Sequence, residues 1–513
     1  MRKGKNRQLT AVFLGTVMLT SSALSSAGIA LAADETLPAA SETVQTADES
    51  EPSEEETQQT AQEKEDSAEQ TESSAAETTE SAQQEETPAE DTSNALRSSD
   101  HDLSAFAEGN YRDFTENTQV LSWNLGTDLT KEDVYSAEKG YGFSDVEFNT
   151  DAPGWVNGVY IPREASKQAP GSAYVENGEG YLAFSSKVWT ETESTGYGVY
   201  TYENTSTLDL DLASADYKVD VTFVNPTQNA YTAYIETEDI TKEVTFTGDD
   251  KTSIVVNPGE TVTKSVQAVV VDGQLNLKFP VKSSATSIGG AGQQTAYISH
   301  LTVTRLATNQ TAEKPTIFIA SDSTVQTYDQ VYYPQTGWGQ TLHNFFGDLV
   351  EERECEDCLY SQAQTYETVN VIVENRAIGG RSSKSFIDEG KLDDLLEDVK
   401  PGDYVFVQWG HNDATASRPN RYVSSEDFEK WINVYIDGAL QRGATPVLVT
   451  PVARYSYSTN PDGTLDSFQS NFEAYRQVML KVSQERQVAL IDLTQRSIAL
   501  CNSFGIESSK SLL

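Results

Sequence analysis

The stretch "PTIFIASDST", Pro315 to Thr324, carries an apolar run of Ile317, Phe318 and Ile319 into three small polar residues, Ser321, Asp322 and Ser323. A short run that is apolar at almost every position reads as a strand buried on both faces. The same signature recurs in "VNVIVENRA" (369–377), "DYVFVQWG" (403–410), "TPVLVTPVA" (445–453) and "VALIDLT" (488–494). Between these runs lie helical patterns: "GWGQTLHNFFG" (337–347), "SKSFIDEGKLDDLLEDV" (383–399), "SEDFEKWINVYIDGALQRG" (425–443) and "LDSFQSNFEAYRQVMLKVSQER" (465–486). Strand and helix alternate, which predicts a doubly wound α/β domain with a mostly parallel sheet. Ligands of such sheets bind beyond the carboxyl ends of the strands, where Ser323, Gly380 and Asn412 fall.

Upstream, from about Asp102 to Leu306, the period changes. "YKVDVTFV", "AYTAYIET", "KEVTFTG", "KSVQAVVV", "GQLNLKF" and "YISHLTVTRL" are apolar at every second residue and separated by turn residues. That pattern predicts an antiparallel β-sandwich. "ATNQTAEKP" (307–315) reads as the linker between the two domains, assigned here to 102–307 and 314–513.

The N-terminus carries no core. "MRKGKNRQLT" is basic, an apolar stretch follows, and small residues close it at Ala30-Leu31-Ala32, the pattern of a secretory signal over 1–32 and of a secreted or cell-surface protein. Residues 33–101 are acidic and of low complexity, with acidic side chains outnumbering a single Lys about twenty to one. This segment is expected to be disordered, a solvated spacer or a tolerated insert. It accounts for much of the formal charge of −43, and an acidic chain does not suit nucleic acid.

Only three Cys occur, Cys355, Cys358 and Cys501, so no disulfide framework is expected. The Cys355–Cys358 pair lacks a second ligand pair, which argues against zinc, and no metal or organic cofactor is expected. No Gly-x-Gly-x-x-Gly follows the first strand of the α/β domain, which excludes a dinucleotide-dependent oxidoreductase of the usual kind.

If Ser323 ends its strand, its hydroxyl faces a crevice while its backbone N–H opens the next helix, where the dipole favours a developing negative charge. "VENRAIGGRSSKSF" delivers Gly379 and Gly380, whose missing side chains let backbone N–H approach a bound oxygen, and "QWGHND" adds the Asn412 amide. A serine, a glycine N–H and an asparagine amide are the parts of an oxyanion hole for ester hydrolysis.

The ordered blocks "ASDSTVQTY", "NRAIGGRSSKSF" and "GHND" resemble the SGNH (GDSL-like) hydrolases, in particular the rhamnogalacturonan acetylesterase branch, with support from "PQTGWGQTL" and "TPVARYSY". The resemblance covers about 200 residues from Pro315 onward. It implies a flavodoxin-like α/β/α fold, Ser323 as nucleophile, and an oxyanion hole of Ser323 N–H, Gly380 N–H and the Asn412 side chain. It makes His411 a positioning residue rather than the base, while Asp322 and Asp413 read as acids that fix loops through side-chain to backbone hydrogen bonds. The implied substrate is an acetylated plant polysaccharide, handled by a monomer. The chain departs from the family in having Ser321 where Gly is usual.

A second departure concerns the base. The family takes it from an Asp-x-x-His motif, and none of His101, His300, His343 or His411 has Asp three residues before it. Together with the chain's end after "GIESSKSLL", this marks the hydrolase domain as C-terminally incomplete, with weak or no activity, an uncovered apolar sheet surface and low stability. The alternative function is a surface carbohydrate-binding protein with an inactive hydrolase half. The upstream domain resembles galactose-binding-like jelly rolls, and Trp123, Trp155 and Trp189 are its candidate exposed sugar-stacking residues, or else core.

Overall fold

The structure, a computed structural model, describes residue 103 and residues 113–510 apart from 145, 150–153, 157–158, 162–164, 170–173, 193–198, 205, 242–251, 282–291, 312, 355–362 and 419. The signal, the acidic segment, His101, Cys355, Cys358 and all of "KEVTFTG" lie outside the described residues, as do the side chains of Trp155 and Trp189.

The chain is mostly β with some helices. Upstream, strands Asp216–Val224, Thr261–Val269, Tyr181–Thr192 and Gly292–Arg305 belong to one antiparallel sheet, and Leu208–Asp211 and Gln274–Lys278 to a second. Val219, Val221 and Phe223 of the first sheet and Leu208, Leu210, Leu275 and Leu277 of the second lie in one buried apolar cluster. Alternation along the strands buries one face of each sheet, an arrangement compatible with a β-sandwich. Trp123 belongs to this core: it is 4% exposed and packs 5.2 Å from the Tyr141 ring, so the expected surface stacking role fails for it. Trp123 pairs with Leu301 and shares its inward register.

The C-terminal sheet has seven strands: β1 (Thr316–Ala320), β2 (Leu349–Glu354), β3 (Gln364–Thr368), β4 (Ile372–Asn375), β5 (Tyr404–Val407), β6 (Thr445–Val449) and β7 (Ala489–Ile491). Their order is β2-β3-β4-β1-β5-β6-β7. From β4 to β7 the neighbours are parallel, and β2 and β3 add an antiparallel edge that apolar patterning did not reveal. The reason is visible in β2, "LVEERE", whose charged residues suit an exposed edge strand.

Every residue of β1 is buried. Phe318 and Ala320 point into one apolar cluster with the helices that follow α1 (Gly339–Leu342), namely α2 (Ser383–Asp388), α3 (Lys391–Asp398), α4 (Phe428–Gln441) and α5 (Glu473–Arg486). Ile317 and Ile319 point into the opposite cluster, with Trp338, Leu342 and Leu493. Both faces of the central strands are therefore covered, and the expected bare sheet surface is not found among the described residues; exposed apolar side chains such as Leu349 and Val350 sit on the edge strand instead. Two helical expectations are also corrected. Residues 383–399 form two helices, because Gly390 takes a left-handed conformation (φ 74°) between them. Leu465–Phe468 is a strand paired with Tyr457–Thr459, not the start of a helix.

The two parts are joined tightly. The Asn309 side chain of the linker donates to the Glu397 and Val399 carbonyls. The Gln441 amide donates to the Val271 carbonyl at 2.7 Å, and Val269 is buried in the cluster of α2–α5. Arg442, fully buried, pairs with Asp216 at the start of its strand.

Candidate active site

The polar triplet does end a buried strand. The Ser321 hydroxyl donates to the Gln408 carbonyl at 2.7 Å and is fully buried, so a hydroxyl in place of the expected Gly is accommodated by one hydrogen bond. No helix opens at Ser323. Asp322 instead folds the chain into a turn, its carboxylate accepting from the Thr324 N–H and hydroxyl while its carbonyl accepts from Val325 and Gln326. The expected helix dipole is thus absent, and the next α-helix, Gly339–Leu342, starts fifteen residues downstream of Thr324.

That later segment braces the turn. Trp338 N–H donates to the Thr324 carbonyl and Gly339 N–H to that of Val325. A Cβ on Gly337 would lie 2.3 Å from the Gln326 carbonyl oxygen, and one on Gly339 would lie 2.6 Å from that of Val325, so "TGWGQ" requires both glycines. Gln408 at the end of β5 ties the assembly together, donating to Thr324 Oγ1 and accepting from Trp338 Nε1.

Ser323 is half-buried, and among the described residues its hydroxyl and its N–H have no internal partner. Gly379 lies directly beside it: a Cβ there would be 3.5 Å from Ser323 Cβ. The Gly379 N–H is already taken by the Gln326 side-chain oxygen. Gly380, left-handed at φ 79°, has an N–H with no internal acceptor among the described residues. Asn412 Nδ2 donates to the Arg381 carbonyl at 2.8 Å, which spends one of its two hydrogens and brings the amide to the same loop. The unspent donors on Ser323, Gly380 and Asn412 therefore come from the carboxyl ends of β1, β4 and β5.

The acids lie beneath. Asp413 is fully buried, accepting from the Ser383 N–H and hydroxyl and from the Gly410 N–H, so it fixes the loop to the start of α2. Burial pushes its carboxyl up to about 6, against the pull of those hydrogen bonds. Burial would raise Asp322 as well, but the adjacent His411 ring and the Thr324 donors hold it below the usual carboxylate range. His411 Nε2 lies 2.9 Å from the Val452 carbonyl and so must carry its hydrogen, while Nδ1 lies 3.3 Å from Asp322 Oδ2. Nε2 is thus committed to the Val452 carbonyl, while Nδ1 is buried against Asp322 without a hydrogen bond among the described residues.

The raised Asp413 carboxyl predicts a pH dependence. Between pH about 4 and 6 the folded protein holds a proton that the unfolded chain releases, so this group's contribution to stability falls as pH rises through that window and is constant above it. Relative to the parent, Asp413→Asn should gain about 2 kcal/mol of unfolding free energy between pH 4 and 6.5. Chemical denaturation at both pH values measures it; a parent-to-variant difference that is the same at both would contradict the assignment.

The model of the GDSL-like lipase/acylhydrolase family matches residues 322–505. Probable rhamnogalacturonan acetylesterase YesY of Bacillus subtilis (strain 168) is 38% identical over 192 residues, 37% of this chain and 76% of its own. The chain belongs to the GDSL-like lipase/acylhydrolase family. Rhamnogalacturonan acetylesterase RhgT of the same organism is 32% identical over 196 residues, 38% of this chain and 72% of its own. The uncharacterized esterase YxiM, also from B. subtilis, is 28% identical over 386 residues, 74% of this chain and 78% of its own. As a GDSL-like acylhydrolase the protein is a carboxylic ester hydrolase.

Sequence reasoning missed several residues that shape this GDSL-like site. Gln326 holds the Gly379 N–H, Tyr328 donates to the Ser323 carbonyl at 2.7 Å, and Arg421 donates to the Gly380 carbonyl at 3.2 Å. A signal existed for Gln408 alone: a glutamine closing the apolar run "YVFVQ" has to find partners when buried.

Proposed function

We propose that the protein is a secreted esterase that removes O-acetyl groups from a pectic polysaccharide of the rhamnogalacturonan type, with Ser323 as nucleophile. Placement of the Ser323 hydroxyl and the unspent donors of Ser323, Gly380 and Asn412 at the carboxyl ends of three neighbouring strands carries this reading. The hydroxyl oxygen attacks the acetyl carbonyl and its proton passes to water. The tetrahedral oxygen takes hydrogen bonds from the three donors, the bond to the sugar oxygen breaks as that oxygen is protonated, and water then releases acetate from Ser323. Asp322, His411 and Asp413 hold the loops and take no proton from substrate.

The parallel order of β4 to β7 supports a flavodoxin-like hydrolase fold over 314–513, and the two-sheet core supports a jelly-roll-type domain over 102–307. The basic, then apolar, N-terminus supports export.

Among the described residues no imidazole or carboxylate is hydrogen-bonded to the Ser323 hydroxyl. General-base help is worth about 10²–10⁴ in rate, so a polypeptide of these 513 residues should release acetate slowly, by the oxyanion hole and binding alone. Acetate release from acetylated rhamnogalacturonan is the test. A slow rate abolished by Ser323→Ala supports the reading; the same rate in Ser323→Ala sinks it, and a turnover typical of efficient esterases would show that a base is present after all.

A further inference from the structure

Val331, Tyr332 and Tyr333 form a run of large apolar side chains at the surface, 84%, 57% and 37% exposed. Single exposed apolar residues are ordinary, but a contiguous run tied to the candidate nucleophile's segment through Tyr328 marks a binding surface. None of the residues of this turn, Gln330–Tyr332, is buried, so the run does nothing for the core.

The turn is held in place all the same. Tyr328 donates to the Ser323 carbonyl at 2.7 Å, and its ring meets that of Tyr332 edge-on with centroids 6.1 Å apart. Gln340 Nε2 donates to the Tyr333 hydroxyl at 3.2 Å while Gln340 Oε1 accepts from the Tyr328 N–H. The turn's own hydrogen bonds run from Tyr332 N–H to Asp329 and from Gln335 N–H to Tyr332. The exposed ring is thus fixed relative to the candidate nucleophile through one intervening tyrosine.

We propose that Tyr332, with Val331, is a subsite that stacks a sugar ring next to the acetylated one. This rests on the polysaccharide esterase reading above. A tyrosine face offers an apolar platform to the C–H face of a pyranose, and the exposed Asp329, Gln330 and Gln335 around it offer partners to ring hydroxyls. An acyl chain would need an apolar groove rather than one ring with a polar border.

The test is calorimetry of the full chain with acetylated rhamnogalacturonan fragments of one sugar and of several. In the parent, affinity rises with fragment length. In Tyr332→Ala about tenfold of that gain is lost, equivalent to about 1.4 kcal/mol, and in Tyr332→Phe it is kept. A gain fully retained in Tyr332→Ala, or lost equally in Tyr332→Phe, overturns the subsite alone. A parent that binds no fragment and releases no acetate from the polysaccharide overturns the substrate reading and the subsite with it.

Discussion

Asn412→Ala is expected to slow acylation of Ser323 by an activated acetyl ester about 10²–10³-fold, the usual cost of removing one oxyanion-hole donor. The amide has two hydrogens, and the one spent on the Arg381 carbonyl at 2.8 Å positions the other. Losing the spent one also loosens the loop bearing Gly380, but a single hydrogen bond of this kind contributes only about 1 kcal/mol to stability. The effect should thus appear in the burst of released phenol rather than in the melting temperature. A drop of less than about threefold would mean that the oxyanion forms elsewhere, because even one such donor is worth far more.

The second large effect concerns the join between the two halves. Arg442 and Asp216 are both buried, and they come from opposite sides of the linker. Arg442→Ala leaves the Asp216 carboxylate in the interface without its guanidinium partner, and breaking a buried pair in this way costs about 3–5 kcal/mol. Urea denaturation of Arg442→Ala should show a loss of that size. Replacing both residues by Leu should recover much of it, because the double change removes the buried charge as well. A loss below about 1 kcal/mol in Arg442→Ala would mean that water reaches the pair.

The central strands were legible because burial on both faces leaves a nearly unbroken apolar run, as in "TIFIA" and "YVFV". The exposed β2, with its run of charged residues, leaves no such trace, and its existence follows only from pairing with β3. Gly390 shows why helix length misled: the apolar spacing continues through it, and only the left-handed backbone reveals the break. At the site, residue types and their order after buried strands brought Ser323, Gly380 and Asn412 together on the page. Which donors remain free was not legible, since it depends on Gln326 reaching Gly379 and on Asn412 reaching Arg381 across the fold. Trp123 was left open between surface and core for a related reason: a tryptophan in an alternating strand faces in or out by register alone.

The most direct measurement of the central claim is mass spectrometry of the 513-residue chain after incubation with p-nitrophenyl acetate, with the adduct mapped by proteolysis. The account predicts one acetyl group, on Ser323, formed more slowly in Asn412→Ala. An acetyl group on another residue, with Ser323 unmodified and phenol release unchanged in Ser323→Ala, would contradict it.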